Sequence, residues 1–132
     1  MKCPVCSAHL VTLELSGVEV DYCFSCKGIW LDSGEMERLV SIENGEETIL
    51  QTLEPARVSE KKRTCPVCLK TMKKVISGGP EKLLLDRCES HGMWTDEGEL
   101  KKILIMSCAG TAQGPLVKIL DSMFAAQKGG CV

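Results

Sequence analysis

A four-ligand pattern occurs twice in this chain and constrains its fold more than any other feature. The first copy opens Cys3-Pro4-Val5-Cys6, closes Cys23-Phe24-Ser25-Cys26 and runs into Gly28-Ile29-Trp30-Leu31-Asp32-Ser33-Gly34-Glu35. The second opens Cys65-Pro66-Val67-Cys68, closes Cys88-Glu89-Ser90-His91 and runs into Gly92-Met93-Trp94-Thr95-Asp96-Glu97-Gly98-Glu99. Two residues between ligands let one tight turn present both side chains to a single ion. A hairpin of 16 or 19 residues then returns the second turn to the first. The spacing predicts two tetrahedral sites, one of Cys3, Cys6, Cys23 and Cys26, the other of Cys65, Cys68, Cys88 and His91. Zinc suits both, giving two Zn2+ per chain. Iron is the alternative in the four-cysteine site, and His91 argues against it in the other.

Size explains why metal is needed. The chain has 132 residues, and each repeat is only about 40 residues long, a size at which burial of apolar surface rarely offsets chain entropy. Two Trp, one Tyr and two Phe cannot build a large aromatic core in either unit. The nine cysteines are an odd number, and seven of them fall in ligand pairs. Met1-Lys2 leads into the first pair without an apolar stretch. Together these predict a reducing, cytoplasmic setting rather than a secreted disulfide scaffold. No run of about 18 apolar residues is present, so no membrane span is expected.

Around the ligands, Leu10–Leu15 and Val18–Tyr22 flank Ser16-Gly17 as a hairpin, and Met72–Ile76 and Lys82–Asp86 repeat it around Ser77-Gly78-Gly79-Pro80. A helix is expected from Asp32 and another from Asp96, each with an Asp-x-x-Glu capping box completed by Glu35 or Glu99. Met36, Leu39 and Val40 share one helical face, as do Leu100, Ile103 and Leu104. Ile49, Leu50 and Leu53 suggest one short helical segment before Pro55. After Gly114-Pro115, the positions Leu116, Ile119, Leu120, Met123 and Phe124 predict an amphipathic helix that folds back, pairs with another copy or binds a partner. The expected fold is a small metal-stabilised α+β protein with two zinc-ribbon-like modules. Residues 1–44 form the first, 45–64 a linker, 65–106 the second and 107–132 the C-terminal helix.

All four positions of each site are supplied by protein, whereas a catalytic zinc keeps one open for water or substrate. Both sites are therefore expected to be structural, and the protein not to be an enzyme. His9 reads as a surface or packing residue, and Trp30 and Trp94 as lids over the metal turns. Asp32 with Glu35, and Asp96 with Glu99, have a sufficient role at helix starts without invoking catalysis. Cys108 and Cys131 lie outside the ligand sets and read as free thiols.

Charge divides the copies. Residues 1–54 hold three bases against ten acids, a balance of −7, while residues 60–105 hold ten bases against seven acids, a balance of +3. The formal net charge is −2. Thiolate ligation makes it more negative, which argues against a chain held mainly by nucleic-acid phosphates.

Cys-Pro-x-Cys, a hairpin, and Cys-x2-Cys-x-Gly-x-Trp-Leu-Asp-x-Gly-Glu resemble the zinc-finger family named after the zinc ribbon of transcription factor IIB. The resemblance covers residues 3–40 and again 65–104. It implies zinc in both sites and a ribbon fold with a following helix. Departures fall at Ser7 and Leu69, where the family has glycine, and at His91, which has one residue fewer before the Trp. The function expected is a non-enzymatic zinc protein that binds protein partners through its module surfaces or C-terminal helix, with homo-oligomerisation as one form of this. Nucleic-acid binding through the basic face of the second module, around Lys73 and Lys74, is the alternative. A rubredoxin-like redox or metal-handling role is the third.

Overall fold

The computed structural model describes residues 1–42, 50, 53–58, 62–78, 82–107 and 117–120. Three strands follow the first metal turn and its partner: β1 (Val11–Leu15), β2 (Val18–Tyr22) and β3 (Ile29–Asp32). The helix α1 (Glu35–Ile42) comes next. In the second repeat β4 (Glu54–Pro55) precedes β5 (Lys73–Ile76), β6 (Leu84–Cys88) and β7 (Gly92–Thr95), and α2 (Glu99–Ser107) follows.

The two repeats share one seven-stranded antiparallel sheet in the order β1-β2-β3-β7-β6-β5-β4. Its centre is the β3–β7 pair, in which Trp30 stands opposite Trp94 and Leu31 opposite Met93. Side chains alternate across a strand, and that alternation sorts the core. Ile29, Leu31 and Met93 join α1 and α2 in the larger cluster, with Met36, Leu39, Val40, Leu100, Ile103 and Leu104. Trp30 and Trp94 turn to the other side and pack with Cys3, Cys23, Cys65 and Met72. Helices thus cover one side of the central strands and metal turns the other.

Both helices start later than the sequence pattern suggests, at Glu35 and Glu99 rather than Asp32 and Asp96. The residues before them are drawn into strands because Ile-Trp-Leu and Met-Trp-Thr are buried on both faces of a paired sheet. Gly34 and Gly98, whose carbonyls accept the first helical bonds from Arg38 and Lys102, occupy the cap position at φ 90° and 81°. A side chain is disfavoured there, which accounts for Gly one residue before each Glu.

The expected linker contains a strand. Glu54 and Pro55 pair with Ile76 and Val75 at the edge of the sheet, where the missing N–H of Pro55 faces no partner strand. Leu50 and Leu53 pack against the larger core, and Leu53 N–H donates to Leu50 C=O at 3.4 Å. Ile49 lies outside the described residues. Of the helix expected after Gly114, residues 117–120 are described and are helical. Val117 and Leu120 are buried in the larger core, whereas Ile119, expected on the apolar face, is exposed. Leu116, Met123, Phe124, Cys108 and Cys131 lie outside the described residues.

Candidate metal centres

Three of the four metal turns have one construction. In each, the first Cys N–H donates to the carbonyl five residues on, and the residue after the second Cys donates back to the first Cys carbonyl. The pairs are Cys3 with Ala8 and Ser7, Cys23 with Gly28 and Lys27, and Cys65 with Lys70 and Leu69, at 2.7–3.0 Å. Closing so small a ring puts Ser7, Lys27 and Leu69 at φ 64–66°. Backbone N–H groups within the turns also aim at sulfur: Val5 at Cys3 Sγ (3.3 Å), Cys26 at Cys23 Sγ (3.5 Å) and Val67 at Cys65 Sγ (3.4 Å). Such donors favour thiolate over thiol. The fourth turn, Cys88–His91, is shorter and closes through His91 N–H to Cys88 C=O at 3.1 Å.

The hairpins bring these turns together as the spacing predicts. Sγ of Cys3 lies 3.4 Å from that of Cys26, and Cys6 the same distance from Cys23. In the second cluster Cys68 Sγ is 3.8 Å from Cys88 Sγ, and His91 Nδ1 is 3.5 Å from Cys88 Sγ. Within each tetrad the donor atoms all lie within 4.8 Å of one another. A tetrahedron with Zn–S bonds of about 2.3 Å has edges near 3.8 Å, so both donor sets fit one ion without rearrangement of the backbone. All seven of these cysteines are free thiols. His9 is exposed, bridges to Lys2 and stands apart from the ligands.

Thiol acidity differs around each tetrad. Burial pushes Cys3 and Cys26 up, and Cys65 up to about 11. Cys68 is lowered to about 7, chiefly by the Lys70 N–H. Burial pushes Cys23 up as well, but the Cys26 N–H and neighbouring thiols outweigh it and bring it to about 7. Cys23 and Cys68 are thus the readier to lose their protons, and a cation must displace those of Cys3, Cys26 and Cys65.

Trp30 and Trp94 are fully buried. Their indole N–H groups donate to Asp32 Oδ1 (2.9 Å) and Asp96 Oδ1 (3.1 Å), respectively. Each carboxylate thus satisfies a buried indole two residues earlier in the chain. The glutamate half of the expected capping box forms, with Glu35 and Glu99 accepting from the N–H of Asp32 and Asp96 at 2.7 Å. The Asp carboxylates accept from the indoles instead, and glycine holds the cap position. The repeated Trp-x-Asp spacing was the sequence signal for the indole bond.

The second repeat carries an ion cluster absent from the first. Arg63 lies 2.7 Å from both oxygens of Asp96 and 3.2 Å from Asp86. Lys74 Nζ pairs with Asp86 Oδ1 at 2.6 Å, with both side chains over nine-tenths buried. In the first repeat, the equivalent Asp21 instead accepts from the Thr12 hydroxyl at 2.9 Å. Lys74 is consequently not part of an open basic face.

Residues 2–42 match the transcription factor zinc-finger family. The zinc-ribbon match covers the first repeat, and the cluster at 65–91 is compatible with a second module of the same kind. Comparison with curated proteins and with solved structures gives no match. No helix among the described residues is long and apolar enough to cross a membrane.

Proposed function

We propose that this is a non-enzymatic zinc protein of a reducing cytoplasm, with one structural ion per ribbon and surfaces that serve protein partners. The carrying observation is that each tetrad is completed by four protein donors within 4.8 Å. An ion so enclosed supplies a cross-link, worth on the order of 10 kcal/mol of folding free energy in small modules. The residues do the rest: the turns aim N–H groups at sulfur, and the Trp pair seals the sheet side. The nucleic-acid alternative draws on the family description, but Lys74 is committed to Asp86. Metal analysis should find two zinc ions per purified chain, and a strong chelator should abolish the cooperative melting transition. A single ion per chain, bound iron, or a fold indifferent to chelation would overturn this reading.

A further inference from the structure

Where the edge strand β4 ends, a groove of about 710 Å3 opens between the segment after Pro55 and the start of β5. It exists because the ladder stops early. Ala56 N–H makes the last bond, to Lys74 C=O at 3.0 Å, and Arg57 and Val58 then leave the sheet. The groove has a polar and an apolar side. Arg57, Lys62 and Lys73 are exposed along it, and no acidic side chain is among the described residues that line it. Lys73 pairs with Glu89 at 3.4 Å, with both side chains exposed to solvent. Arg57 and Lys62 have no carboxylate partner among the described residues. The apolar side is formed by Pro55, Val58 and Met72. Val58 is 45% exposed and lies outside the strands.

From this juxtaposition we infer that the groove is a docking site for an extended peptide of a partner protein, with acidic side chains set around an apolar one. The inference rests on the protein-interaction reading above and gives it a place and a partner chemistry. Arg57 and Lys62, without a carboxylate partner among the described residues, and Lys73, whose pairing with Glu89 is solvent-exposed, favour negative charge in the groove. The apolar strip beside them is satisfied by a peptide side chain. A single nucleic-acid strand would be held by aromatic platforms for its bases, and none is among the described residues that line the groove. Met72 connects the site to the metal, because it packs with Cys65 and Trp94. Loss of the second ion should therefore disorganise the groove.

The experiment is selection from a displayed random decapeptide library by the zinc-loaded full chain, with the Arg57→Glu, Lys62→Glu double variant as comparison. Both changes are at exposed sites, and each preparation is first assayed for two zinc ions. The chain should enrich peptides with several Asp or Glu around Leu, Ile or Phe. A labelled representative should bind at least tenfold more weakly to the double variant, while Arg38→Glu, on α1, leaves binding unchanged. No enrichment, or binding indifferent to the double variant, would overturn the proposal while two zinc ions per chain preserved the metal reading. Tight binding of a dT10 oligonucleotide without peptide enrichment would reassign the groove to nucleic acid. Reversal-sensitive self-association in sedimentation, again without enrichment, would reassign it to a second copy.

Discussion

Leu69 holds φ 65° and leaves 73% of its surface exposed. A branched side chain in the left-handed region costs about 1 kcal/mol or more, and exposure returns none of it. The turn closes through Leu69 N–H to Cys65 C=O at 2.8 Å, so the conformation is imposed by the ring and not by the side chain. Leu69→Gly should therefore raise stability by about 0.5–1 kcal/mol, less than the relieved strain because glycine gains freedom when unfolded. Chemical denaturation of the zinc-loaded proteins measures this, and a loss of stability would show that Leu69 has a packing role. The glycine preference at this position was visible in the family resemblance. Its cause, a positive φ shared with Ser7 and Lys27, becomes visible only in the folded turn.

The helix α2 begins under electrostatic conflict. Burial pushes the Glu99 carboxyl up to about 7, and the charges of Asp96 and Asp86 add to the shift, against the Asp96 N–H and Arg63. Between its ordinary 4.5 and about 7 the folded chain holds a proton that the unfolded chain has lost. Stability from this group is therefore greatest at low pH and falls as pH rises through that window. Glu99→Gln keeps the acceptor for Asp96 N–H and removes the ionisation. It should raise stability above pH 7 by on the order of 1–2 kcal/mol after solvent screening, with the gain fading toward pH 5.5. Melting of the zinc-loaded pair across that range reads it directly, and a gain independent of pH would refute the assignment. The capping role of Glu99 was legible from Asp-x-x-Glu. The acid cluster beneath it was not, because Asp86 reaches Asp96 only once β6 pairs with β7.

Across the whole molecule, the repeats behave as one body because β3 and β7 join them. Trp94 passes so close to Gly28 of the first ribbon that a Cβ there would lie 2.1 Å from the indole ring. Ser33 N–H donates to the carbonyl of the ligand His91 at 2.9 Å, and the Thr95 hydroxyl to Ile29 C=O at 3.0 Å. The buried cluster around both indoles contains cysteines from both tetrads. Loading of one site should thus support the other. Cys6→Ser, which removes an exposed ligand of the first tetrad, should weaken zinc retention at the second by several-fold in chelator competition. Unchanged retention would mean the shared sheet transmits nothing.

The two hairpins, the apolar faces of both helices and the placing of two four-residue clusters that could hold a metal were determined by the sequence alone. Each rests on residues within about 25 positions of one another, where spacing and turn chemistry dominate. The tertiary structure decided strand partners, register and burial. Ile29–Asp32 and Gly92–Thr95 became strands because each supplies the other's ladder. Glu54-Pro55 became an edge strand because β5 was there to receive it. Lys74 passed from an open basic face to a buried ion pair when β5 met β6. The β3–β7 ladder joins residues of different repeats, which local pattern cannot anticipate. The other two pairings lie close in sequence, and there the residue types left open the register and burial that strand pairing fixes.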